Sequence, residues 1–158
     1  MECDLRRPVL AKLLGLNEDE RGLRNYLEGE DSVVPYLKTT PVKKLTLLPA
    51  GKPPSNPAEL VSSAKMKRLV EEVKNRYEDR YIILDSTPAH LLAETTSLVS
   101  MIDGVLLVVR SGRTSKNAIV EAIDNLGREK ILGLIFNGSN EAFKGYGYYY
   151  RYYEKGPR

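Results

Sequence analysis

The sequence predicts an α/β fold, a parallel sheet flanked by helices, and two observations carry that prediction. Three apolar runs of strand length, Tyr81 to Leu84, Val105 to Val109 and Ile131 to Phe136, are continuous rather than alternating, as in strands covered by helices on both faces. Between them lie segments with apolar residues at helical spacing, so strand and helix alternate from Leu45 to Asn137.

Taken in order, Leu45 to Leu48 is a shorter and weaker strand candidate. A helix is expected from Asn56, whose amide side chain can cap, with Pro57 at the first helical position and Glu59 completing a box-like start. Leu60, Val61, Ala64, Leu69, Val70 and Val73 form its apolar stripe, leaving Lys65, Lys67, Glu71, Glu72 and Lys74 for water, and the pattern ends near Tyr77. The strand Tyr81 to Leu84 follows, then a helix between Leu91 and Met101, where Thr95, Thr96 and Ser97 weaken the propensity. After Val105 to Val109, a helix is expected from Thr114 to Leu126, with Ala118, Ile119, Ala122, Ile123 and Leu126 inward and Gly127 near its end. Ile131 to Phe136 closes the alternation.

At 158 residues the chain is long enough for one sizeable core, and 42% hydrophobic with 28% charged residues is a globular composition. No apolar run reaches the roughly 18 to 20 residues of a membrane-spanning helix, and no basic segment leads from Met1 into an apolar stretch, so no secretory signal is visible. One cysteine, Cys3, excludes an internal disulfide and favours a reducing, cytoplasmic setting. With one histidine, His90, neither a zinc site nor a Cys–His nucleophile has enough parts. The net charge of +3 is carried entirely by residues 144 to 158, which also hold six of the ten tyrosines: Tyr146, Tyr148, Tyr149, Tyr150, Tyr152 and Tyr153. That shift divides the chain into a core, residues 1–138, and a tyrosine-rich tail, 139–158.

Ligands of parallel α/β sheets bind at the carboxyl ends of the strands, which directs attention to Asp4, Asp85, Arg110 and Asn137. Asp85 ends a buried run and precedes Ser86, Thr87 and Pro88; an aspartate there can hold magnesium beside a nucleotide phosphate, or simply cap the next helix. Glu2 and Asp4, at i and i+2 of an extended segment, project to one face, where they could share a metal or orient a hydroxyl; the alternative is a pair of solvated charges.

These segments resemble, in the right order and over nearly the whole chain, the bacterial tyrosine autokinases, P-loop ATPases of exopolysaccharide and capsule loci. Glu2-Cys3-Asp4-Leu5-Arg6-Arg7-Pro8 looks like their paired-acid Walker motif, and Tyr81 to Pro88 like their Walker B strand. Residues Gly51 to Ser63, Asp103 to Arg110 and Ile131 to Asn137 continue the pattern, and the tyrosine cluster closes it. The wording is especially similar to the autokinases of exosortase-linked loci. The resemblance implies a P-loop NTPase-like fold of the partition and septum-site ATPase type, using ATP and Mg2+. Asp4 and Asp85 would be metal ligands; Glu2, Asp4 and Asp85 would form the catalytic acids, with Glu2 where the usual pattern has aspartate. Arg6 and Asn137 would face the nucleotide, although Arg6 and Arg7 could equally meet an acidic neighbour. It also implies a ring of neighbouring kinase subunits that phosphorylate the six tail tyrosines, and a membrane activator belonging to a polysaccharide export complex. The place of work would be the cytoplasm, reaching the inner membrane face through that partner.

One departure stands out. A nucleotide P-loop needs G-x-x-x-x-G-K-[ST], so that backbone N–H groups wrap the phosphates and lysine reaches the outer ones. The sequence has no such run: Gly51-Lys52 is followed by Pro53, and Thr46 stands where the first glycine would be. The chain thus reads as the carboxyl two-thirds of a kinase domain, lacking the first P-loop strand–helix unit, which the resemblance places inside the sheet. Each phosphotyrosine adds about 1.5 to 2 negative charges, so several would overwhelm the +3 of the tail. Two functions from different classes follow: a tyrosine autokinase domain, and a non-catalytic phosphorylation substrate or assembly regulator of an intact kinase. A partition-type ATPase leaves the tyrosines unexplained, and single-strand nucleic-acid binding lacks a basic groove.

Overall fold

The computed structural model describes residues 1–16, 21–29, 31–77, 79–88 and 93–139. Its elements are α1 (Leu10–Leu13), α2 (Leu23–Glu28), β1 (Lys38–Thr39), β2 (Thr46–Leu47), α3 (Pro57–Val61), α4 (Ala64–Arg76), α5 (Ala93–Val99), β3 (Val105–Arg110), α6 (Lys116–Leu126) and β4 (Ile131–Asn137).

Two parallel pairings organise these elements. β3 and β4 run side by side, Leu106 opposite Gly133 through Arg110 opposite Asn137, with a register shift after Val105. The amino-terminal segment pairs with residues 81–85 through a parallel bridge between Glu2 and Asp85: Cys3 N–H donates to the Asp85 carbonyl at 2.7 Å, and Asp85 N–H to the Met1 carbonyl at 2.9 Å. On its other side Glu2 N–H donates to the Leu48 carbonyl at 3.0 Å, continuing β2, which itself pairs antiparallel with β1. Leu5 and Cys3 thereby enter a core with Leu23, Met66, Leu69 and Leu98. α2 reaches this layer through a close backbone approach. Leu23 N–H donates to the Pro49 carbonyl at 2.8 Å, and a Cβ on Gly22 would lie 2.2 Å from that oxygen, so only glycine fits.

The alternation expected from Leu45 to Asn137 is present, with three differences of detail. The helix expected from Asn56 to Tyr77 is two helices: Ser63 adopts an extended conformation (φ −70°, ψ 154°), and its hydroxyl accepts from Met66 N–H at 3.1 Å, starting α4 afresh. Asn56 makes no side-chain capping bond; its amide donates to Glu59 Oε2 at 2.9 Å. The helix expected from Thr114 begins at Lys116 with Ser115 as its cap, while the Thr114 hydroxyl accepts from Arg110 N–H at 3.1 Å.

A larger correction concerns cover. The continuous apolar runs predict strands buried on both faces, yet Tyr81, Ile83, Leu106 and Val108 are exposed and only alternate residues of 81–85 and β3 turn inward, while in β4 the consecutive Leu134, Ile135 and Phe136 are all exposed. A sequence suited to two covered faces thus leaves apolar residues exposed on 81–85, β3 and β4.

Candidate functional site

The site forms where the carboxyl end of the amino-terminal segment meets the carboxyl end of residues 81–85. The Glu2–Asp85 bridge fixes the two chains in register, and alternation along the first puts Cys3 into the core while Glu2 and Asp4 share the opposite face. Asp4 then turns the chain. Its Oδ1 accepts from the N–H groups of both Arg6 and Arg7 at 3.0 Å, an Asx-type turn that holds the carboxylate in place.

The two acids of the pair meet different surroundings. Glu2 is 1% exposed, and both its oxygens are taken: Oε1 accepts from Val9 N–H at 2.6 Å and Leu10 N–H at 2.7 Å, and Oε2 from Ala50 N–H at 3.0 Å. The carboxylate thus ties the amino-terminal segment to the start of α1 and to the loop after β2. Asp85, by contrast, is exposed and makes no side-chain hydrogen bond among the described residues. Its carboxyl is pushed above the usual carboxylate range, first by partial burial, then by the negative charges of Glu2 and Asp4.

Arg6 takes the acidic neighbour that the sequence left open. Its Nε and Nη2 both donate to Glu94 Oε1, at 2.9 and 2.7 Å, pinning the first turn of α5 to the paired-acid loop. Glu94 is buried, and nothing in its sequence context marks it as a partner. The loop after Asp85 is fastened to the same helix by Thr87, whose hydroxyl lies 3.2 Å from that of Thr95. Asn137 lies at the carboxyl end of β4, opposite Arg110 of β3, its carbonyl accepting from Ser111 N–H at 2.9 Å. Among the described residues, no group of three His, Cys, Asp or Glu side chains gathers around a common metal position. The Cys3 thiol is pushed up to about 12 by burial, so it stays a protonated core side chain. Tyr146, Tyr148, Tyr149, Tyr150, Tyr152, Tyr153 and His90 lie outside the described residues.

Parallel strands joined through helices, with acids at adjoining carboxyl ends, define a P-loop NTPase-like α/β domain, and the solved structures it superposes on are bacterial kinase domains. The VpsO kinase domain matches with a TM-score of 0.79 at 30% identity, over 88% of this chain and 68% of that one. The kinase domain of Escherichia coli tyrosine kinase ETK shares the fold, with a TM-score of 0.78 at 24% identity, covering 90% of this chain and 57% of that one. Tyrosine-protein kinase CpsD of Streptococcus agalactiae is 32% identical over 154 residues, 96% of this chain and 66% of that protein. YwqD, a tyrosine-protein kinase of Bacillus subtilis strain 168, is 34% identical over 152 residues, 94% of this chain and 63% of that protein. No protein-family model matches. The chain belongs to the bacterial tyrosine-protein kinases, and it spans about two thirds of the length of CpsD and YwqD.

Proposed function

We propose that the chain is a tyrosine autokinase domain, or a piece of one, that serves exopolysaccharide synthesis and export and phosphorylates its own carboxyl-terminal tyrosines with ATP. The observation carrying this reading is the parallel Glu2–Asp85 bridge, which sets Asp4 beside Asp85, whose carboxylate makes no side-chain hydrogen bond among the described residues. Two carboxylates with oxygen to spare suit a hard divalent cation. Asp4 and Asp85 would hold magnesium, which when bound neutralises developing phosphate charge. Asp4 also accepts the proton of the incoming tyrosine hydroxyl. Glu2 acts differently from the paired-acid reading: its carboxylate, spent on three backbone N–H groups, positions the strand that carries Asp4. Arg6, held by Glu94, orders the loop rather than gripping phosphate. Phosphorylation of the tail by neighbouring subunits would reverse its charge and govern assembly of a ring on a membrane activator, at the inner face of the cytoplasmic membrane.

The glycine-rich loop that grips ATP has no counterpart in the sequence, so the chain alone binds ATP poorly. Isothermal titration with Mg-ATP tests this: a micromolar dissociation constant for the 158-residue chain contradicts it. Mass spectrometry of the tail after incubation with ATP, alone and with an intact relative such as CpsD, separates kinase from substrate. Phosphotyrosine that requires the intact kinase, and survives Asp85→Asn in this chain, assigns it the role of substrate or assembly regulator instead.

A further inference from the structure

The turn that joins β1 to β2 gathers exposed aliphatic side chains and unpaired positive charge at one point. Val42 and Leu45 close it, Leu45 N–H donating to the Val42 carbonyl at 3.1 Å, with Lys43 and Lys44 between them. Val42 is 52% exposed and Leu45 39%; both lysines are exposed and form no ion pair among the described residues. Lys44 is the one described residue other than glycine in the left-handed region, with φ 65°. A side chain kept where glycine or asparagine would fit without strain points to a use for that side chain. Beneath the tip, buried Thr40 acts as a clasp: its hydroxyl accepts from Val42 N–H at 3.2 Å and donates to the Leu45 carbonyl at 3.0 Å, which also accepts from Thr40 N–H at 3.3 Å. The N–H and C=O groups of both aliphatic residues are therefore satisfied inside the turn. From Ser32 to Ala58 the chain has no acidic residue, against Lys38, Lys43, Lys44 and Lys52.

We infer that this turn docks on an anionic bilayer surface, with Val42 and Leu45 entering the boundary between headgroups and acyl chains and Lys43 and Lys44 meeting lipid phosphates. Aliphatic residues whose backbone groups are already paired enter a layer of low dielectric without leaving a donor or acceptor unmet. Lysine stems lie along apolar material and keep their ammonium groups at the level of the phosphates. An acidic protein surface is the rival occupant, but a specific protein interface buries about 800 Å² on each partner. Two aliphatic side chains and two charges fall short of that, whereas they combine the two signals, apolar and electrostatic, of a reversible membrane contact. The inference rests on the turn alone and holds whatever the catalytic role of the chain.

Flotation of the full chain with vesicles tests it, comparing equal parts phosphatidylglycerol and phosphatidylcholine with phosphatidylcholine alone. Binding is expected to the anionic vesicles only, and it should fall steeply between about 0.05 and about 0.5 M NaCl as the Debye length shrinks. Lys43→Gln with Lys44→Gln should weaken it about twenty-five-fold, roughly fivefold for each lysine. The melting temperature should not move, because both side chains are exposed. The sequence has no tryptophan, so Val42→Trp places a single fluorophore at the tip. On anionic vesicles its emission should shift to the blue and be quenched by brominated acyl chains. Every variant keeps the basic residues of the carboxyl-terminal tail, so binding undiminished by the double substitution belongs elsewhere and overturns the proposal. So does a wild-type chain that ignores anionic vesicles or binds phosphatidylcholine equally well. Unshifted Val42→Trp emission overturns it too, and if polyglutamate is then captured through Lys43 and Lys44, the partner is an acidic protein. Should the double substitution disturb the fold, the Val42→Trp signal, obtained with both lysines in place, decides alone.

Discussion

Glu2 and Asp85 show how one bridge can assign opposite tasks to two acids. Three backbone N–H groups converge on Glu2, and removing its charge leaves them facing an amide that can satisfy only part of the set. Glu2→Gln should cost about 2 to 3 kcal/mol in urea unfolding, the range for buried donors robbed of a charged acceptor; a loss below the error of the extrapolation would refute the strapping role. Asp85 stands on the other side of the ledger. Its folded carboxyl titrates above the unfolded value of about 3.9, so the folded state binds the proton more tightly. The stability contributed by its neutral form is complete below the unfolded value and is lost as pH rises through the folded one. At neutral pH its charge works against the fold. Asp85→Asn should therefore raise the urea midpoint at pH 7, with the gain shrinking below about pH 4, while removing any magnesium-dependent phosphotransfer. A lowered midpoint at pH 7 would show that Asp85 has a stabilising partner.

Among the elements, α4 and α5 position the site without touching its acids. α4 owes its start to Ser63, whose hydroxyl takes the Met66 N–H and whose extended backbone interrupts what the apolar stripe presents as one helix. Ser63→Ala should cost about 1 kcal/mol with an unchanged denaturant slope. If the loss is nil, the break between α3 and α4 is set by packing alone. Periodicity made both helices legible because Leu60, Val61, Leu69 and Val70 fall on one stripe, but a stripe does not record where the backbone leaves the helix. α5 carries Glu94 to Arg6, a pairing between residues 88 positions apart that no local pattern encodes.

For the whole molecule, the decisive property is the apolar surface left on the strands. Ile83, Leu106, Val108 and Leu134 are each more than half exposed, although their runs read as fully buried. Contiguous surface of this kind binds apolar dyes and partners. The chain alone should enhance the fluorescence of anilinonaphthalene sulfonate, and Leu106→Lys should weaken that enhancement several-fold without shifting the melting temperature. An equal signal from the substituted protein would place the dye elsewhere. No helix among the described residues is long and apolar enough to cross a membrane.

The α/β class, the order of the elements and the strand-end acids Asp4 and Asp85 could be read along the chain, because these depend on hydrophobic period and on residues adjacent in sequence, and the kinase family from the resemblance of its motifs. Only the folded chain shows that Glu2 is consumed by backbone N–H groups of Val9, Leu10 and Ala50, that Arg6 belongs to Glu94, and that Ile83, Leu106 and Val108 stay exposed. Hydrogen-bond saturation and strand pairing are long-range facts. A run of aliphatic residues states that a strand wants cover, and only the fold states whether it has received it.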